Sequence, residues 1–382
     1  QINTFRAREA VIRGPVMAAG GIQSFTGWNT RLDEAVIGAG ASFNDWALWD
    51  DGQQTTSGIH LNSMRLTGPE SEIDSSFIQV GTLDSMVLNA QGQDEDGSVW
   101  TDTGLWAIGD PATGRSVGSM TIIGGGMDGS GSPPFKFLGG EDINTNQSFG
   151  TLAVWGGSIT NVGVESLKSI RSIRTNGDII STMRSNIQAP QGIGEIMADN
   201  LTGSLNASSL DRLILREDFV AAVEIDGSVG TAWVAGSMEG QLVASGQHGH
   251  INNLTVGSGI EGQVRAYSYI GNVFVRNGDV EEPIRAGGAN EQGRAVGQVF
   301  VSNGNLAGLN VTPNEQAVRP GGEIGTVIVN GDVTGAISAG NFVTPSTGGL
   351  RRGNLNLLRV NGGDLAGPVQ VAGRARQIMV LN

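Results

Sequence analysis

The sequence predicts an all-β chain of one kind, a parallel β-helix or β-solenoid. Three observations carry this. A strand motif recurs in the form apolar, two residues, apolar, one residue, apolar, and often closes on Asn-Gly-Asp: Ile324, Val327 and Val329 precede Asn330, Gly331 and Asp332, and Ile270, Val273 and Val275 precede Asn277, Gly278 and Asp279. A tail of the form apolar-x-Gly-x-apolar-x-Ala follows, as in Val333, Gly335, Ile337 and Ala339. A unit repeated on this scale is the mark of stacked repeats that share one core. Within each copy the last two apolar residues alternate with period two, which is strand periodicity, and Gly and Asn punctuate the ends.

Taken in order, the chain already opens a rung at Ile2, Phe5 and Ala7 and continues it through Val11, Gly14, Val16 and Ala18. Asn29 to Ala41 is the best helical pattern, a short helix at most. Further rungs start at Leu61, Leu83, Val117 and Phe149. Regular starts then follow at Ile170, Ile193, Leu210, Val229, Ile251, Ile270, Val296, Ile324, Leu355 and Ala375, spaced 17 to 31 residues apart. Each repeat holds two or three short strands, too few to bury a face alone. Stacked at about 4.8 Å, every strand covers its neighbour's backbone and side chains. Variable rung lengths break the strict six-residue rhythm of a left-handed hexapeptide helix and predict a right-handed coil. The chain is expected to divide near residue 165. Residues 1–165 form irregular rungs with insertions at 21–58, 91–110 and 126–148; residues 166–382 form regular rungs continuous with them. The insertions are expected to be dispensable for the solenoid and needed for assembly or binding.

Composition narrows the function. Gly makes up 61 of 382 residues, and charged residues are 16 %, against the usual ~7 % and ~25 %. Glycine supplies the positive φ of tight corners. The balance of 23 basic and 37 acidic residues gives a net charge of −14. Phosphate recognition needs clustered cations, and Lys136 and Lys168 are the only lysines, so nucleic acid is not expected as a partner. With no cysteine, disulfides, thiolate catalysis and Cys-metal sites are excluded. No run of 18 apolar residues predicts a membrane span. The first residue, Gln1, is read as the start of a mature chain after signal removal or of a fragment, and the expected location is extracellular or at the cell surface.

Candidate chemistry is sparse. His60, His248 and His250 are the three histidines. His248 and His250 flank a glycine at a corner, with no third ligand in sequence, so an exposed turn is expected over a metal site. Asp94 and Asp96, before Gly97, form a weak structural-calcium candidate; calcium wants six to eight oxygens, and no other cofactor is expected. Trp28, Trp46, Trp49, Trp100 and Trp106 crowd two of the insertions. They are expected either to anchor a loop or subunit contact or to meet a sugar, with packing or interface favoured. Paired carboxylates of the glycosidase kind cannot be assigned, and the four Asn-x-Ser/Thr triplets, at Asn200, Asn206, Asn253 and Asn310, carry no assigned role.

The segments Ile324–Ala339 and Ile270–Ala286 resemble rungs of fibre-forming bacterial β-solenoids, with the texture of bactofilins and of adhesin or autotransporter stalks. That resemblance covers most of the chain as a repeat style. It implies a non-enzymatic, self-assembling structural protein of an extracellular fibre, layer or appendage. Pectinase-type β-helix enzymes share the architecture, but their clustered Asp residues with His-Gly and Arg-x-Lys are not found. A polysaccharide-binding or polysaccharide-cleaving β-helix, of lyase or hydrolase type, is the alternative. Neither end shows a polar cap. Ile2 and Phe5 open one rung, and Ile378 and Val380 lie in the first strand of another, which predicts head-to-tail stacking of these residues into a homopolymer.

Overall fold

A computed structural model of the chain describes residues 1–39, 60–90, 97–110, 112–129, 143–181, 187–312, 322–340, 342–343, 350–351 and 353–381. The described residues contain strands and no helix; apart from one antiparallel pair, Phe342–Val343 with Leu350–Arg351, the named strands join parallel ladders. The protein is a parallel β-solenoid. Its chain forms two compact units, Gln1–Ser204 and Leu205–Asn382.

In the first unit the longest strand of each rung carries the core. One inward column runs Ile2, Ile22, Leu61, Leu83, Val117, Phe149, Ile170 and Ile193; a second runs Phe5, Phe25, Met64, Met86, Met120, Leu152, Ile173 and Ile196. From Ile22 and Phe25 onward these side chains are at most 1 % exposed. At about 25 cal/mol per Å² of apolar surface, burial of such columns is what offsets the entropy of ordering the chain. Buried hydroxyls satisfy the corners: Ser76 Oγ accepts from Ala35 N–H at 3.0 Å and Thr103 Oγ1 from Ser76 N–H at 3.1 Å.

The second unit repeats the design. Leu210, Val229, Ile251, Ile270, Val296, Ile324, Leu355 and Ala375 are successive partners, as are Leu213, Ala232, Leu254, Val273, Val299, Val327, Leu358 and Ile378. The rung starts read from the sequence are therefore the observed register. Thr326 faces outward and is partly exposed while Val327 is fully buried. The second side of each rung shrinks to single bridges, Phe219, Met238, Ile260, Val280, Leu306, Val333 and Leu365 in turn. The third side is a short strand ending in Ala or Val, such as Ile284–Ala286, Leu309–Val311 and Ile337–Ala339.

The Asn-Gly-Asp corner has a purpose beyond turning. Asp279 Oδ1 accepts from Asn305 N–H, Asn305 Oδ1 from Asp332 N–H and Asp332 Oδ1 from Asp364 N–H, each at 2.7 Å. Each side chain thus takes the donor of the next rung, a charge-assisted bond where it is Asp. The glycine after the first apolar residue has its own reason. At Gly230, Gly271, Gly297 and Gly325 a Cβ would meet the carbonyl oxygen of the rung before at under 3.0 Å.

Three expectations are corrected. Residues 29–39 are strand, not helix, because Ile22–Ala39 is held in the ladder by pairing with Ile2–Ala18 and with strands of the next rung; Asn29 and Glu34 take positive φ, 44° and 51°, which no helix continues. The insertions are shorter than expected. Residues 22–39, Ser98–Thr101, Gly104–Ala107, Gly126–Asp128 and Ile143–Thr145 are ladder strands of the rungs themselves. Of the insertion expected at 91–110, the described residues 97–110 are accordingly not decoration, since Val99, Trp100 and Leu105 are fully buried core.

Candidate functional site

The described residues of the first unit form a polar cleft of about 300 Å³ lined by His60, Asn62, Thr82, Asp84, Asp110, Thr113, Arg115 and Ser116. Stacking builds it. His60 and Thr82 are register partners at the starts of adjacent rungs, and His60 Nδ1 meets Thr82 Oγ1. The turn Asp110–Arg115 supplies the other wall: Asp110 N–H donates to Arg115 O at 2.9 Å. The Asp110 carboxylate is committed to that turn, accepting from Ala112 N–H at 2.8 Å and from the Thr113 hydroxyl at 3.2 Å. Ser116, buried, accepts Gln147 N–H at 2.8 Å.

The free chemistry of the cleft lies with Asp84, Arg115 and Asn62, all exposed. The Arg115 guanidinium reaches the main-chain oxygen of Asp84 at 3.5 Å, at the outer limit of a hydrogen bond. No ion pair joins the two side chains. Gly118 makes this possible, because a Cβ there would run into the Arg115 guanidinium. The cleft therefore holds an anion, a cation and an amide side by side, unspent on one another. Sequence reasoning noted His60 only as a histidine. Asp84 and Arg115, 31 residues apart, share a wall because one full rung separates them.

Other expected site residues fall elsewhere. Trp100 is fully buried and its indole N–H donates to Thr103 O at 2.9 Å, so it packs the core and offers no face to a sugar. Trp28 is 49 % exposed on its strand, and Trp106 is half-buried on Gly104–Ala107. Trp46, Trp49, Asp94 and Asp96 lie outside the described residues. Among the described residues no group of three or more His, Asp or Glu could hold a metal ion. His250 is occupied: its Nδ1 lies 2.7 Å from His248 O, and its ring stacks on Tyr269 at 4.6 Å and 11°. Burial, with Glu291 adding, raises the Tyr269 hydroxyl above its ordinary value. In the second unit Phe274 and Phe300, both partly exposed, stack on one another at 5.1 Å and 3°, so a sugar ring cannot lie between them.

An ion-pair cluster in the first unit is structural. Arg31 bonds Asp74 at 2.8 Å and lies 3.4 Å from Glu72, while Arg13 meets Asp33 at 2.7 Å. Burial raises the Glu72 carboxyl, and Arg31 only partly opposes it.

Fold and site together define a β-solenoid with one polar corner cleft described. Comparison with protein-family models, curated proteins and solved structures returns no match to this chain.

Proposed function

We propose that this protein is a non-enzymatic structural β-solenoid that assembles end to end with further copies of itself, outside the cell or at its surface. One observation carries the reading. Ile378 and Val380 are each 44 % exposed, whereas their in-register partners Leu358 and Val360 are fully buried. They continue the two inward columns into the last described rung. Leu381 O accepts Gly362 N–H at 2.6 Å; by strand alternation the backbone groups of Ile378 and Val380 point away from Leu355–Asn361, the direction in which a further strand would pair. Ile2, Phe5 and Ala7 repeat the same i, i+3, i+5 spacing as Ala375, Ile378 and Val380. A second copy would continue each column, and such a heterologous contact propagates into a filament. The acidic, lysine-poor composition fits a solvent-facing exterior, and no cofactor is needed.

The test is electron microscopy and sedimentation velocity of the whole chain beside Ile378→Pro and a variant lacking residues 375–382. Filaments from the parent and soluble, folded monomers from both variants support end-on assembly. Monomers from the parent at every concentration, or normal filaments from the variants, overturn it.

A second reading, carbohydrate binding, rests on the corner cleft. Its anion, cation and amide are the groups that hydroxyl-rich solutes use.

A further inference from the structure

From the cleft geometry we infer that Asp84 and Arg115 form a saccharide subsite that grips a pair of neighbouring hydroxyls on a neutral sugar. The inference rests on the carbohydrate reading and is independent of end-on assembly.

The argument begins with donor and acceptor capacity. An ionised Asp only accepts and an Arg only donates, while a sugar hydroxyl does both. Where the two charges lie against one depression without pairing, a vicinal diol fits both: one hydroxyl donates to the Asp84 carboxylate and its neighbour accepts from the Arg115 guanidinium. Both bonds are charge-assisted. Asn62, which offers donors and an acceptor, and His60, whose Nδ1 is turned to Thr82, complete a rim for further hydroxyls. About 300 Å³ is at the lower end of small-ligand sites and holds one sugar ring, not a large cofactor.

Charge selects among sugars. The cleft has two carboxylates, Asp84 and Asp110, against one guanidinium, on a chain of net charge −14. A uronate or sulfated sugar would bring its anion to Arg115 against both carboxylates and the wider field. A neutral hexose or pentose unit carries no such penalty. A metal ion is a poor competitor, because Asp110 is bound to its own turn and Arg115 lies at hand.

The subsite is an outer pocket on a rigid ladder. Ser116 and Thr82 are buried, and Gly118 leaves room for the Arg115 guanidinium beside Asp84, so binding orders little beyond the Arg115 and Asn62 side chains. One sugar with two charge-assisted bonds predicts weak affinity, raised when neighbouring units of a polymer contact the adjacent rungs.

Affinity electrophoresis of the whole chain through gels holding neutral polysaccharide (hydroxyethyl cellulose, xylan or galactomannan) or polygalacturonate tests this. Asp84→Ala and Arg115→Ala are compared with Glu224→Ala, an exposed carboxylate of the second unit. The expected result is retardation by a neutral polymer, none by polygalacturonate, at least a fivefold loss in each cleft variant and no change in Glu224→Ala. Circular dichroism confirms that the variants fold; Arg115→Lys, which keeps the charge, should recover part of the binding. Retardation by neutral polymer that the cleft variants leave intact overturns the subsite but keeps the carbohydrate reading. No retardation by any polymer overturns both. Stronger retardation by polygalacturonate, lost in Arg115→Ala, overturns the assignment to neutral sugars.

Discussion

Val327→Asp is the sharpest probe of the register. Val327 is fully buried between its partners Val299 and Leu358. Losing the valine side chain forfeits about 1.5–3 kcal/mol of burial. A carboxyl in that column has no partner, and burial raises such a group by about 3–5 pH units. At about 1.4 kcal/mol for each, and counting only the interval between the unfolded value of about 3.9 and neutral pH, this adds roughly 4 kcal/mol. The sum, about 5.5–7 kcal/mol, reaches the lower part of the range for the whole stability of an ordinary domain, roughly 5–15 kcal/mol. Thr326→Asp places the same carboxylate one residue away on the outer side and should cost within about 0.5 kcal/mol. Urea denaturation read by circular dichroism compares the two with the parent. The pH sign is fixed: a carboxyl raised in the folded state penalises folding above its raised value, and the penalty fades as pH falls toward the unfolded value. The gap between Val327→Asp and parent should therefore narrow from pH 7.5 to pH 4.5. Equal denaturation midpoints for the two variants, or a gap unchanged by pH, would refute the inward placement of Val327.

Further perturbations test other parts of the design. Gly297→Ala forces a Cβ against the Gly271 carbonyl oxygen and should cost about 1–3 kcal/mol, while Gln298→Ala on the exposed neighbour should be near neutral in the same urea assay. Asp332→Ala removes the acceptor of Asp364 N–H and should cost about 1 kcal/mol; Asp332→Asn keeps that oxygen and should hold the parent's midpoint. Glu72 is raised chiefly by burial, so the folded state loses stability as pH climbs from the ordinary glutamate value through the raised one. Glu72→Gln should therefore melt no lower than the parent at pH 7, and any advantage should vanish once both are measured below the ordinary value; a clear loss at pH 7 would mean that the Arg31 contact outweighs burial.

The long strand of each rung was legible because its information is local. Val299 and Val327 reveal their inward side by alternation with Gln298 and Thr326, Leu358 by alternation with Arg359, and the Asn-Gly turn that follows each marks the corner. Rung length hardly matters to this reading, since a loop can lengthen without moving the strand's pattern. The shorter sides were less legible. Ser98–Thr101 and Gly104–Ala107 have only four residues each, below what a periodic signal needs, so Trp100 read as part of an insertion when it is core. Asn29–Ala39 carried a helical spacing of apolar residues that ladders on both sides overrode. Sequence by itself determined the class of fold, the core columns and the register of the second unit, because side-chain alternation and turn chemistry act between neighbours in the chain. Tertiary structure alone decided that a backbone carbonyl of the rung before demands Gly297, and that Asp84 and Arg115 share a cleft without pairing. Those outcomes depend on the distance between stacked rungs, which no single rung encodes.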